Sequence, residues 1–179
     1  MTGHEVSLDE FIGVSIEGMV ASAGARTEYR EPLIGIIAAD DRQFHEFYRV
    51  AEPTHMLPTE LLPGTRSVVS FFLPFSPWVA EANDRHKEEV AEEWATAYVE
   101  TNALIGDITA FLIEALGARG IRAAAEPATH KFDHASLVSR WSHKSVAVIA
   151  GLGSFGLHQM VITDAGCAGR VGSLVVDAE

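Results

Sequence analysis

Cysteine is almost absent from this chain: Cys167 stands alone among 179 residues. One thiol excludes an intramolecular disulfide and any four-cysteine zinc or iron–sulfur site held by a single copy of the chain. Positive charge is scarce too, with 13 Lys and Arg against 25 Asp and Glu, a formal net charge of −12. A surface for nucleic acid or an anionic membrane needs clustered Lys and Arg, so neither partner is expected. Long apolar runs are also missing. The longest, near Leu33–Ala39 and Val146–Leu152, are far too short to span a bilayer. The first ten residues show no basic region followed by an apolar stretch, so no secretory leader is expected and the cytoplasm is the default compartment. What remains, 47% hydrophobic and 21% charged, is ordinary for one soluble domain over residues 1–179, long enough to bury a core.

Glycine makes the chain specific. Ala150-Gly151-Leu152-Gly153-Ser154-Phe155-Gly156 has the G-x-G-x-x-G spacing of a dinucleotide-binding turn, and Asp177 follows where a ribose ligand would stand. That reading makes Gly156–Gly172 a crossover helix, yet the stretch holds Val161-Ile162-Thr163 and Gly166 and Gly169, all poor helix formers. Only 23 residues follow Gly156, too few for the further strands of such a sheet. Two readings stay open. The glycines form a helix cap and tight turn, or they let backbone approach a flat ligand that side chains would block.

Elsewhere the pattern is mixed α and β. Ser7-Leu8-Asp9-Glu10 reads as a capping box, followed by an apolar face at Leu8, Phe11, Ile12, Ile16, Met19 and Val20 that predicts a helix to about Gly24. Pro32–Ala38 and Ser67–Leu73 read as buried strands, with a short helix around Asp41–Tyr48 and one turn at Pro58–Leu62 between them. Asn83–Leu116 has helical period, with a break expected before Thr96 or near Gly106. Ile121–Ala125 predicts a short strand. Helices are expected over His134–Trp141, capped by Asp133, and over His143–Ala150. The last segment reads as a hairpin of Gln159–Thr163 and Arg170–Val176. Adjacent strands in this order favour α+β over a doubly wound fold.

Several residues carry candidate chemistry. His143, at a helix start, and His158, in the glycine turn, are of the type that ligates a metal or moves a proton near neutral pH; an exposed structural histidine is the plainer reading of each. His130 and His134 flank Asp133 at metal-ligand spacing without a third ligand nearby. Trp94, Tyr98 and Asn102 form one helical stripe that serves core packing or lines a planar ligand. Cys167 sits in a glycine-rich turn with only Arg170 nearby to lower its pKa, which favours a small turn residue. Ser154 lacks the first glycine of a nucleophile elbow, and Glu88, Glu89, Glu92 and Glu93 read as a solvated helix face.

Three patches together carry a resemblance: Glu60–Pro74, Ala147–Gly156 and Val161–Asp177. They resemble the N-terminal corrinoid-binding domain of the epoxyqueuosine reductase and reductive dehalogenase-like group. The resemblance implies a nitroreductase-like α+β fold, a mixed or antiparallel sheet flanked by helices, with cobalamin as cofactor. It implies a corrin pocket shaped by Gly151, Leu152, Gly153 and Gly156, with His158 and Tyr98 beside it and His143 as a catalytic candidate. Asp84-Arg85-His86-Lys87 resembles the family's Asp-Tyr-His-Lys motif, whose aspartate is a proton donor above the cobalt; a better-spaced register places Ala97-Tyr98 there and leaves no carboxylate. The family often has a lysine after the third glycine where this chain has Leu157-His158. Family members continue into a ferredoxin-like segment with iron–sulfur clusters, which the single cysteine here cannot supply, so electrons are expected from a separate ferredoxin-like protein. The alternatives are a non-catalytic partner domain that self-associates as a homodimer, or a flavin-binding protein of the same fold.

Overall fold

The computed structural model describes residues 6–50, 55–86, 88–127 and 139–179. Its organising element is β2 (Ser67–Pro74), a strand buried at every position. β2 pairs antiparallel with β1 (Leu33–Ala38) on one side and β6 (Gly169–Val176) on the other. A two-residue strand, β3 (Ala123–Ala124), adds to the far edge and gives the order β1-β2-β6-β3. A strand covered on both faces reads as a continuous apolar run, as Ser67-Val-Val-Ser-Phe-Phe-Leu does.

Alternation along β2 and β6 divides the core in two. Val69, Phe71, Leu73, Leu174 and Val176 face α1 (Leu8–Ala21) and α5 (Glu92–Gly117), meeting Ile12, Ile16, Ile108, Leu112 and Leu116. Val68 and Val175 face the opposite way, toward Phe44 of α2 (Arg42–Val50), Trp141, and Val146 and Ile149 of α6 (His143–Ile149). Short α3 (Pro58–Leu61) and α4 (Pro77–Arg85) complete the helices, α4 packing on α5. The result is an α+β fold with an antiparallel sheet flanked by helices.

Two glycines of β6 exist because of β2 aromatics. Phe71 lies opposite Gly172, and a Cβ there would meet the Phe71 ring and come within 2.9 Å of Ile105 Cγ2. A Cβ on Gly169 would meet the Phe72 ring and the Leu73 carbonyl.

Four expectations change. Ser7 makes no side-chain cap; its hydroxyl serves the Asp9 carboxylate and holds it below its usual range, while Phe11 N donates to the Ser7 carbonyl at 2.9 Å. The predicted break falls between α4 and α5, and α5 runs unbroken through Gly106 for 26 residues because its Leu104–Ile108–Leu112–Leu116 face is packed throughout. The closing hairpin is not formed. β5 (Val161–Ile162) pairs instead with β4 (Ser154–Phe155) in a separate two-stranded sheet, and β6 joins the main sheet. Ser139–Trp141 is not helical, and the rest of the helix expected over His134–Trp141 lies outside the described residues, as do His130 and Asp133.

Gly172→Ala is expected to lose about 1–3 kcal/mol by overpacking against Phe71 and Ile105. Gly106→Ala, where an added Cβ meets nothing within 4 Å, is expected to gain about 0.5–1 kcal/mol from helix propensity. Denaturant midpoints with unchanged slope check both; a Gly172→Ala protein as stable as the parent contradicts the packing.

Candidate functional site

β3 reaches only Val175 and Val176, so the outer edge of β6 from Gly169 to Ser173 has no strand partner among the described residues. Beside this edge lies a cleft of about 370 Å³ between α5 and the start of α6. Tyr98 and Asn102 come from α5, His143 from α6, Ser173 from β6, and Glu126 from the chain after β3.

His143 reaches the cleft because Ser142, the N-cap of α6, is anchored twice. Its Oγ accepts from Ser145 N at 3.2 Å, and its backbone N–H donates to His55 Nε2 at 3.0 Å. His55 is buried, its ring stacked on Trp141 at 5.6 Å. Next in the chain, His143 Nδ1 lies 2.7 Å from Ser173 Oγ, which also accepts from Trp141 Nε1 at 3.0 Å. His143 Nε2 is buried and has no hydrogen-bond partner among the described residues. Burial disfavours the imidazolium and lowers the His143 pKa to about 4; the Glu126 backbone and charge oppose this, and Arg170 adds to it. The ring is neutral at pH 7.

The predicted aromatic stripe divides. Trp94 packs edge-on against Phe75 at 5.6 Å in the core. Tyr98 and Asn102 face the cleft, and Arg170 joins them, its guanidinium 4.2 Å above the Tyr98 ring and its Nε donating to Asn102 Oδ1 at 3.0 Å. The structure therefore brings His143 and Tyr98 to one cleft. Ser173, Glu126 and Arg170 are partners that sequence reasoning did not place there.

The glycine stretch is a separate feature. Gly151 (φ 78°) ends α6 in a Schellman cap, with Leu152 N donating to the Ala147 carbonyl at 2.9 Å and Gly151 N to the Val148 carbonyl at 3.0 Å. Leu152 packs on β1 at Gly35, where a Cβ would lie 2.6 Å from the Ala150 carbonyl oxygen and 3.1 Å from Leu152 Cδ2. Gly35 was legible only as a glycine inside a strand, the usual mark of close approach. Gly153 admits the Ile162 carbonyl of the paired strand, and a Cβ on Gly156 would lie 2.7 Å from His158 Cε1. Gly151 and Gly153 are thus required by the chain itself, Gly151 by its left-handed backbone and Gly153 by the Ile162 carbonyl, while Gly156 abuts only the side chains of His158 and Ile162. His158 is exposed, and its Nδ1 accepts from Met160 N at 3.1 Å.

The β4–β5 hairpin exposes large apolar side chains, with Phe155 and Ile162 on opposite faces of the two-stranded ribbon. Leu157 is fully exposed, and Phe155, Met160 and Ile162 are 45%, 42% and 46% exposed. No charged residue occurs from Ala150 to Thr163. The tip is pinned: Gln159 has a left-handed backbone (φ 61°), and its carbonyl accepts from Lys144 Nζ at 3.1 Å.

Other candidates lie apart. Asp84 is exposed on the last turn of α4 and does not line the cleft. Ala97, the alternative position, is fully buried in α5. Cys167 is exposed in the turn before β6. Among the described residues no three His, Cys, Asp or Glu side chains are grouped to hold a metal, and no helix is long and apolar enough to cross a membrane.

These elements define an antiparallel α+β domain with a histidine-bearing cleft at its sheet edge and an uncharged hairpin beyond α6. Solved structures of the same fold are epoxyqueuosine reductases. One, in complex with an epoxyqueuosine-modified tRNA-Tyr stem loop, superposes with a TM-score of 0.55 at 16% identity over 90% of this chain and 44% of its own. The enzyme from Streptococcus thermophilus gives 0.55 at 15% identity over 93% and 46%, and that from Bacillus subtilis 0.53 at 16% over 92% and 45%. The chain spans less than half the length of these proteins, and at this identity the likeness is one of fold. The sequence matches no protein-family profile and no curated protein.

Stability should register the neutral His143. In the unfolded chain its pKa is the ordinary 6.5, against about 4 when folded, so the unfolded state binds the proton more tightly. The contribution is full above pH 6.5 and is lost as pH falls toward 4. Urea midpoints at pH 7.5 and 4.5 should therefore differ more for the parent than for His143→Asn; equal differences would contradict the buried neutral ring.

Proposed function

We propose that this chain is a corrinoid-binding domain of the epoxyqueuosine reductase type, seating cobalamin against the β4–β5 hairpin. The observation that carries the reading is the set of exposed apolar side chains, Phe155, Leu157, Met160 and Ile162, on an uncharged stretch of a strongly acidic chain. Side chains of this size are rarely grouped in water without a partner. The shared fold supplies the second support.

The residues fit the group in part. The hairpin offers exposed apolar side chains to the macrocycle, and Gly151, Leu152, Gly153 and Gly156 join it to α6. His158 stands at its tip. His143 does not fit as a cobalt ligand, because Nδ1 is engaged with Ser173, Nε2 is buried, and the cleft it lines is at the small end of the roughly 300–1,000 Å³ range of ligand pockets. Tyr98 has no carboxylate beside it at Ala97, and Asp84 stands off the cleft. The domain is therefore read as holding the cofactor, which would supply cobalt-centred reduction with electrons from a separate ferredoxin-like protein.

The test is titration with hydroxocobalamin, followed by the corrin absorption bands, with light scattering before and after. A shift to the base-off form supports the reading. Leu157→Asp, at a fully exposed position that leaves the core untouched, should weaken binding about tenfold to a hundredfold, the loss of one buried leucine. No spectral shift at saturating cobalamin overturns the reading. A dimer that Leu157→Asp splits, without corrin binding, assigns the same face to self-association instead.

A further inference from the structure

β1 is the end strand of the main sheet, bonded to β2 along one side and to no strand along the other among the described residues. Alternation settles which groups face outward. Ala39 N donates to the Arg66 carbonyl at 2.8 Å, in register with the ladder, so Ile37, Gly35 and Leu33 also turn their N–H and C=O toward β2. Ile34, Ile36 and Ala38 turn theirs outward. The Ala38 carbonyl is met by Asp41 N at 3.1 Å in the turn that follows. The N–H and C=O of Ile34 and Ile36 have no backbone partner among the described residues.

Exposed edges are usually guarded by lysine, proline, an inward charge or a bulge. From Leu33 to Ala38 this edge has none of them. Its register with β2 is continuous, and Leu-Ile-Gly-Ile-Ile-Ala is uncharged in a chain of net charge −12. Ile36 is 41% exposed.

The pattern of donors and acceptors names the occupant. A second copy running antiparallel has three central registers: Ile34 on Ile34, Ile36 on Ile36, or Ile34 on Ile36. The first sets Ile36 opposite the partner's Pro32, which has no N–H. The second sets Ile34 opposite the partner's Ala38, whose carbonyl is already taken. The third lets every outward N–H and C=O of Ile34 and Ile36 bond across the join, with Gly35 on the twofold axis and Leu33 opposite the partner's Ile37. Charge agrees with it. By residue count Asp40 falls opposite the partner's Arg30 and Glu31 opposite the partner's Ala39, so no carboxylate faces another.

We propose that two copies of this chain join through the outer edge of β1, antiparallel about Gly35, so that two four-stranded sheets become one. A single strand pair is a small interface, so a dissociation constant on the order of micromolar or weaker is expected rather than an obligate dimer. The join is independent of the hairpin and of the corrinoid reading.

The experiment uses the full chain without cobalamin. Sedimentation velocity from about 1 µM to about 1 mM is expected to show a monomer passing to a dimer. Over the same range amide exchange at Ile34 and Ile36 is expected to slow about tenfold, while Ile37, already bonded to β2, changes little. Ile36→Pro removes a donor that β2 does not use, and is expected to give a folded monomer. Leu157→Asp, on the hairpin, is expected to dimerise as the parent does. A monomer throughout the range overturns the proposal. So does a dimer with unprotected Ile34 and Ile36 amides, one that persists in folded Ile36→Pro, or one that Leu157→Asp splits. If Ile36→Pro does not fold, the exchange pattern of the parent decides alone.

Discussion

The antiparallel pairing of β2 with β6 is the constraint on which the rest depends. Alternation along β6 sends Gly172 and Leu174 toward α5 and Ser173 and Val175 toward α6. A slip of one residue would exchange these faces. It would set Ser173 against the apolar helix and remove the hydroxyl that joins Trp141 Nε1 to His143 Nδ1. The Phe71–Gly172 contact opposes that slip, because it sets a glycine opposite the Phe71 ring, where a Cβ would meet that ring and Ile105. Sheet register therefore sets the chemistry of the cleft: a small residue fixes where a large one sits, and the next residue orients a histidine.

Charge scarcity gives the second theme. With few cations available, several of those described join distant segments. Arg30 donates to the Phe75 and Ala165 carbonyls and ties β2's end to the turn before β6. Arg122 holds Asp177, and Arg66 reaches Glu179. These exposed pairs add little stability individually, but they fix where chain ends lie. The β4–β5 hairpin receives none of them except Lys144 on a backbone carbonyl. Its exposure of Leu157 is thus not compensated by local charge, which separates it from the rest of an acidic surface.

Much of this was legible from residue pattern, for definable reasons. β2 is a run of eight buried residues bounded by Pro74, and α5 repeats leucine and isoleucine at helical spacing, so both were readable. Gly151 was readable as a cap because it follows an apolar helix and precedes a second glycine. The partner of Val161-Ile162 was not, since two residues carry no periodicity and their pairing with Ser154-Phe155 depends on Gly153 admitting a carbonyl. Ser7 looked like a cap but found Asp9 instead, a local competition that pattern cannot rank. In the cleft, Tyr98 and His143 were candidates from sequence, but Ser173 was not. A serine within Val171-Gly-Ser-Leu-Val175 resembles an ordinary strand residue, and its role comes from a tryptophan 32 residues away in sequence.

The two surface features meet on one turn of helix. His143, which lines the cleft, and Lys144, which holds the hairpin tip through Gln159, are consecutive residues behind the Ser142 cap. Gln159 occupies a left-handed conformation that a side-chain-bearing residue adopts at a cost, and the Lys144 contact is part of what holds it. Displacing the hairpin therefore loads the same turn that Ser142, His55 and Ser173 hold in place. Contiguity of this kind is a condition for coupling but does not amount to it; coupling needs a second arrangement of the turn that one ligand prefers over the other. The double anchoring of Ser142 and the full burial of Ser173 argue for a single arrangement. On that physical basis the cleft and the hairpin are two surface features that share a foundation, rather than two ends of a switch.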